Sequence, residues 1–233
     1  MIRFERIYKS FGRRKLFEDL NFELKEKKTI AILGPNGSGK TTLIKILLGL
    51  VIPDKGKVVI NNRDIYRDAR YKKIIGYMPQ IPEFPENLKV REIISMIEDI
   101  RDQKAIRLKE LLDLLNLGKE LEKKFSSLSG GTRQKVGALV ALAFDTPLLI
   151  LDEPLVGIDP ISAYRLKGFI LEEKKRDKTV IYISHIMNEV EEIADEVVFL
   201  TDGKVIFEGS LVDLKKKTGK VRLEEAVICL LSS

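Results

Sequence analysis

The sequence predicts an α/β fold, a mainly parallel sheet covered on both faces by helices. Three observations predict it. The run Thr29 to Leu33 (Thr-Ile-Ala-Ile-Leu) is a short apolar stretch, followed at once by a glycine-rich loop and then by a Leu-, Ile- and Lys-rich helix start. Leu148 to Leu151 is a second apolar strand, and it ends in two acids, Asp152 and Glu153. Beyond the glycine loop, strand-length and helix-length runs alternate, as they do where parallel strands are joined by crossover helices.

The elements follow in order. Ile2 to Ile7 alternates apolar and polar residues and reads as a strand; after a turn at Gly12, Leu16 to Leu24 reads as a second, giving an N-terminal antiparallel β subdomain. The helix behind the glycine loop ends near Gly49. Pro53 to Gly56 is a turn, Lys57 to Ile60 a short strand closed by Asn61-Asn62, and Ile74 to Met78 another that ends at Pro79-Gln80. From Pro85 to Asp145 the period changes. Leu88, Ile93, Ile94 and Ile97, then Leu108, Leu111, Leu112 and Leu115, recur at helical spacing, which predicts an inserted α-helical subdomain. Ser162 to Arg176 reads as helix, Thr179 to Ser184 as strand, Met187 to Ala194 as helix and Val197 to Leu200 as strand. A turn at Thr201-Asp202-Gly203 leads to a last strand, Lys204 to Glu208, and Leu223 to Leu231 reads as a closing helix. The expectation is one domain over 1–233: an α/β core of 1–84 and 146–222, a helical subdomain of 85–145, and a C-terminal helix of 223–233.

Composition narrows the class. The 233 residues are 44% hydrophobic and 33% charged, the balance of a soluble globular chain. The longest nearly unbroken apolar run, Val136 to Phe144, is far short of the roughly 20 residues a membrane helix needs. The N-terminus alternates like a strand and not like a signal peptide, so the chain is expected in the cytoplasm. One cysteine, Cys229, excludes an intrachain disulfide and a cysteine-rich metal site, and its apolar surroundings predict a buried small side chain. The formal net charge is +6, but the basic clusters Arg13 to Lys15, Lys123-Lys124, Lys174 to Arg176 and Lys215 to Lys217 are scattered among acids such as Glu172-Glu173. They read as solvated surface, and no nucleic-acid partner is expected.

Gly34-Pro35-Asn36-Gly37-Ser38-Gly39-Lys40-Thr41 fits the phosphate-loop pattern G-x-x-x-x-G-K-[ST], in the strand–loop–helix context it requires. Glycines let backbone N–H groups turn toward phosphate oxygens, and the helix N-terminus adds its partial positive charge. Lys40 supplies a point charge for the β- and γ-phosphates, and Thr41 a hydroxyl for Mg2+. Gly34 through Thr41, with Thr42 after them, are therefore candidate nucleotide-binding residues of a P-loop NTPase core. An Asp at the end of an apolar strand is where such an enzyme holds Mg2+, which assigns Asp152. Glu153, one residue on, is the candidate to polarise an attacking water and accept its proton.

Leu128-Ser129-Gly130-Gly131-Thr132 opens an apolar helix and is a second anion-binding signal, since Ser and Gly at a helix start leave N–H groups for an anion. A single triphosphate does not need two such starts. Either this is a capped helix without a ligand, or it reaches another copy, so that two nucleotides are sandwiched in a two-fold dimer.

These residues, in this order, resemble the ATP-binding subunit of an ABC transporter. Gly34 to Thr41 resembles the Walker A loop, Gln80 the Q-loop glutamine, and Leu128 to Thr132 the LSGGQ signature. Leu148 to Glu153 resembles Walker B with its catalytic glutamate, Gly157-Ile158-Asp159 the D-loop, and His185 the switch histidine. The resemblance implies that Gln80 touches Mg2+ and the attacking water, and that His185, with Lys40 and Glu153, acts at the γ-phosphate. It implies that Ser129, Gly130 and Gly131 reach the nucleotide of the other subunit and that Asp159 links the two sites. It also implies an aromatic on adenine: Phe11 fits that register best, Tyr8 second. ATP and Mg2+ follow as cofactors. The implied partners are a second copy and integral membrane permease subunits, with the chain peripheral on the cytoplasmic face of the membrane. The segment Gln80 to Leu88 then reads as a permease dock or as a rigid connector. Two departures stand out: Thr132 replaces the usual Gln, and Ile158 the usual Leu. Leu223 to Val227 is similar to exporter subunits of the ABC-2 class. The competing functions are a non-transport ABC ATPase, in cofactor assembly or translation, and a nucleotide-binding regulatory module.

Overall fold

A computed structural model describes residues 1–231 of the chain. In order, the elements are β1 (Ile2–Phe11), β2 (Arg14–Leu24), β3 (Thr29–Leu33), α1 (Lys40–Leu47), β4 (Lys55–Ile60), β5 (Arg63–Asp64), β6 (Ile75–Met78), α2 (Val90–Arg101), α3 (Leu108–Leu114) and α4 (Gly130–Leu142). They continue with β7 (Leu148–Asp152), α5 (Pro160–Lys175), β8 (Thr179–Ile183), α6 (Met187–Ile193), β9 (Glu196–Thr201), β10 (Lys204–Ser210), α7 (Leu211–Thr218) and α8 (Leu223–Leu231). Two compact units form: Met1–Lys72 with the chain from Ile181 onward, and Lys73–Val180.

In the first unit an antiparallel sheet has the order β2-β1-β4-β5. β1 sits inside it and buries Ile2 and Phe4 by plain alternation. Arg6 then adopts a left-handed φ of 50°, and the register with β2 shifts between Phe4 and Ile7. The extra residue puts Ile7, and not Arg6, on the apolar face. The Phe4 and Phe22 rings, opposite each other, stack at 4.4 Å. Beside this sheet β3 pairs in parallel with β9, which turns back antiparallel into β10. All five residues of β3 are buried, as expected of a strand covered on both faces.

In the second unit β6 runs parallel to β7, from Ile75 opposite Leu148 to Met78 opposite Leu151. α4 buries Val136, Ala138, Leu139 and Leu142. A charged cluster forms here around Glu173, which the sequence reading placed on the surface. Glu173 is 1% exposed and ion-pairs with Arg107 and Lys178. Lys178 also holds Asp145 at 2.6 Å, and Arg107 lies 4.2 Å from the centroid of the Phe169 ring. The Lys178 ammonium, hydrogen-bonded to Asp145, keeps that carboxyl below its ordinary range. Removing one partner of a buried pair leaves an uncompensated charge, a loss of about 3–5 kcal/mol. Glu173→Ala is expected to lower unfolding free energy by about that much in a urea titration; a loss below about 1 kcal/mol would mean the cations find water instead.

The sheets, helices and inserted helical region agree with the expected fold class, and the differences are local. β5 and α7 were not foreseen. Lys215 to Lys217 fall in the last turn of α7, where cations suit the carbonyl end of the helix. Cys229 is half-buried and not buried. The closing helix is described through Leu231; Ser232 and Ser233 of the expected 223–233 segment lie outside the described residues.

Candidate functional site

In the first unit, β3 delivers the chain into the phosphate loop. Gly34 has a φ of 148°, and a Cβ there would stand 1.9 Å from the Leu200 carbonyl oxygen. Gly39, at φ 110°, would put a Cβ 2.7 Å from the Phe17 ring. Only glycine fits either place, so the chain bends tightly enough for helix α1 to start directly behind the loop. Gly39 caps α1 without a side chain, and the first turn of α1 carries no acid. Its leading N–H groups, which have no intrahelical acceptor, are left for an anion. The Ser38 side chain is 2% exposed, and its hydroxyl is buried with no hydrogen-bond partner. Pro35, Asn36, Gly37 and Thr41 are exposed, while Thr42 is half-buried. The Lys40 ammonium donates to the carbonyls of Gly34 at 2.7 Å and Pro35 at 3.0 Å. An orphaned hydroxyl under a loop whose lysine rests on neutral carbonyls fits a phosphate ligand.

The hairpin β1–β2 adds two groups. Phe11 is 52% exposed, with the Lys9 ammonium 5.3 Å from its ring centroid. Its register partner is Arg14, whose guanidinium donates to the Gly37 carbonyl at 3.3 Å. Tyr8 is half-buried and lines a hollow with Glu5, Lys55, Lys57 and Asp64 instead. His185 is exposed between β8 and α6. Buried Ser184 braces that connection: its hydroxyl accepts from Ile186 N–H at 3.1 Å and donates to Glu189 at 3.2 Å.

In the second unit, β7 ends at buried Asp152. Glu153 is 8% exposed and has a φ of 52°. Left-handed backbone on a residue that is neither Gly, Asn nor Asp is strained, and it turns the Glu153 side chain off the alternation of the strand. Burial and the neighbouring Asp152 charge push the Tyr77 hydroxyl up to about 12. Gln80 and Ile81, beyond β6, are exposed.

The signature and the Asp159 loop meet. Ser129 caps α4, accepting from Thr132 N–H at 3.3 Å, and its hydroxyl lies 2.9 Å from that of Thr132. A Cβ on Gly131 would stand 2.6 Å from the Gly157 carbonyl oxygen, so this glycine allows the two segments to touch. Lys135, one turn into α4, pairs with Asp159 at 2.6 Å, and Asp159 caps α5 by accepting from Ser162 N–H at 2.9 Å. The Lys135 hydrogen bond, then the Ser162 N–H, hold the Asp159 carboxyl well below its ordinary range. Arg133 makes a forked pair with Glu86 at 2.8 and 3.1 Å and donates to the Ser126 carbonyl at 3.0 Å. The segment after Gln80 is thereby tied to the signature. Sequence reasoning missed Arg14 and the Lys135–Asp159 and Arg133–Glu86 pairs. Arg133 and Lys135, which follow the signature directly, are the one sequence signal for the last two.

Among the described residues no group of three or more His, Cys, Asp or Glu gathers to hold a metal. No described helix is long and apolar enough to cross a membrane.

A glycine loop between a buried strand and a helix, in a chain with a second apolar strand ending in acids, defines the P-loop class. The family model described as ABC transporter matches residues 17–156. The lantibiotic transport ATP-binding protein SrtF of Streptococcus pyogenes is 32% identical over 97% of this chain and 95% of its own length. A solved structure of an ATP-binding subunit of an ABC transporter superposes with a TM-score of 0.93, at 27% identity and 99% coverage of both chains. The dimeric structure of MJ0796, a bacterial ABC transporter cassette, gives 0.79 at 25% identity, over 91% of this chain and 99% of that one. The chain belongs to the ABC transporter ATP-binding family. It spans about half the length of two other curated relatives it matches, at 57% and 54%.

Proposed function

We propose that this chain binds Mg2+-ATP and hydrolyses it as one half of a dimer, energising transport by separate membrane permease subunits from the cytoplasmic face of the membrane. The observation that carries the reading is the phosphate loop, with Lys40 resting on carbonyls above a buried, unpartnered Ser38 hydroxyl. Lys40 and the N–H groups of Gly34 through Thr42 would hold the phosphates, with Phe11 against the base. Mg2+, when bound by Thr41, Gln80 and Asp152, supplies charge neutralisation at the phosphates. Glu153 would orient the attacking water and take its proton, and His185 would donate to the γ-phosphate. Ser129, Gly130 and Gly131 would meet the nucleotide of the other copy, and Asp159 would connect the two sites. The Gly131–Gly157 approach and the Lys135–Asp159 pair support this, since they fasten the signature to the Asp159 segment.

The likeness to dimeric MJ0796 supports the two-fold arrangement, and the full-length likeness to SrtF supports an exporter of the ABC-2 class. The test is ATP turnover by the purified chain, alone and with membranes carrying a candidate permease. Basal hydrolysis that rises several-fold with those membranes is expected. Binding without turnover would point to a regulatory module, and turnover indifferent to every membrane to a non-transport ATPase.

A further inference from the structure

Lys40 is not the loop's only cation. Arg14 opens β2 directly across the hairpin from Phe11, and its guanidinium donates to the carbonyl of Gly37, in the middle of the loop. The two cations are arranged alike: Lys40 rests on Gly34 and Pro35, Arg14 on Gly37, and each holds a neutral carbonyl. At 3.3 Å the Arg14 contact is beyond the usual range for an N–H···O bond. A cation gives up such a bond readily for a phosphate oxyanion, which forms shorter, charge-assisted and often forked bonds with arginine. Arg14 is exposed, so its guanidinium is open to solvent and to a ligand in the loop. If the base lies on Phe11 and the phosphates lie in the loop, Arg14 stands between the two, beside the phosphates nearest the sugar.

We propose that Arg14 is a phosphate-binding residue of the nucleotide site, exchanging the Gly37 carbonyl for the α- and β-phosphate oxygens of a bound nucleoside di- or triphosphate. The proposal rests on the nucleotide-site reading above and adds a ligand to it. Nothing in the spacing of the loop pattern points to this residue. The hairpin register alone brings it there.

The experiment is calorimetric titration of the full chain with ADP and with adenosine, in the wild type, Arg14→Gln, Arg14→Lys and Lys40→Ala. Arg14→Gln is expected to weaken ADP about tenfold, or about 1.4 kcal/mol, and to leave adenosine unchanged. Arg14→Lys keeps the charge without the fork and is expected between the two; it carries the comparison if Arg14→Gln fails to fold. A change below threefold for ADP overturns the proposal. An equal loss for adenosine also overturns it, because Arg14 would then act only by shaping the hairpin under the base. If the wild type takes up no ADP, or Lys40→Ala binds as well as wild type, the nucleotide-site reading falls first. Binding lost in Lys40→Ala but kept in Arg14→Gln sinks the Arg14 proposal alone.

Discussion

Glu153→Gln is expected to bind ATP with near wild-type affinity, to hydrolyse it at least about a hundredfold more slowly, and to accumulate as an ATP-dependent dimer. A positioned general base contributes about 10²–10⁴ to a rate, and Gln keeps the shape of Glu while losing its basicity. The backbone makes Gln the right replacement. At φ 52° Gln, unbranched at Cβ like Glu, bears the same strain, so the exchange alters the carboxylate and leaves the turn alone. A β-branched residue would add strain and confuse the result. Slow turnover without a dimer would keep Glu153 as the base and remove the sandwich. Normal turnover would remove Glu153 from the chemistry. The measurements are phosphate release for the rate and size-exclusion chromatography with light scattering, with and without ATP, for the assembly.

ATP-dependent dimerisation requires the signature to be presented as a stiff unit. Ser129 caps its own helix, Gly131 lies on the Gly157 carbonyl, and Arg133 fastens the segment to Glu86. Thr132, the departure from the family's Gln, pairs its hydroxyl with that of Ser129 at 2.9 Å. The substitution therefore leaves the cap and both glycines in place.

What could be read in the sequence follows physical lines. The phosphate loop was legible because glycines, lysine and flanking periodicity all lie within a few positions of one another. β7 was legible because a fully buried strand is a continuous apolar run. The left-handed Glu153 was not, since no Gly, Asn or Asp stands there to signal it. Glu173 was misread as surface because it lies in the run Glu172 to Arg176. Yet Leu166, Phe169, Ile170 and Glu173 share one helical stripe, and three of those four are apolar. That periodicity held the answer, and the charge obscured it. β5, at two residues, is too short to carry a period. Arg14 could not be found from spacing at all, because hairpin register and loop position meet only in three dimensions.

Lys40→Ala is expected to abolish detectable hydrolysis and to weaken ATP binding by at least about thirtyfold, since truncating one partner of a desolvated charge pair removes about 2–5 kcal/mol. Lys40 already donates to the Gly34 and Pro35 carbonyls, among its contacts, without a ligand, so its loss weakens the free loop as well as the complex. The balance still favours a binding defect. Bonds from an ammonium to neutral carbonyls such as those of Gly34 and Pro35 are weaker than those to a phosphate oxyanion, and these two are the bonds a phosphate would replace. The same comparison gives the effect on the free chain a direction: without ligand, Lys40→Ala should melt slightly below wild type, and the stabilisation that ATP gives the wild type should be largely missing. Lys40→Arg supplies the contrast. It keeps the charge, but it places a broad fork where the loop closes around a compact ammonium, so binding should recover more than turnover does. An Ala variant that binds and hydrolyses ATP at wild-type rates would mean that the loop grips its ligand through backbone N–H groups alone, and the charge assigned to Lys40 would have no role there.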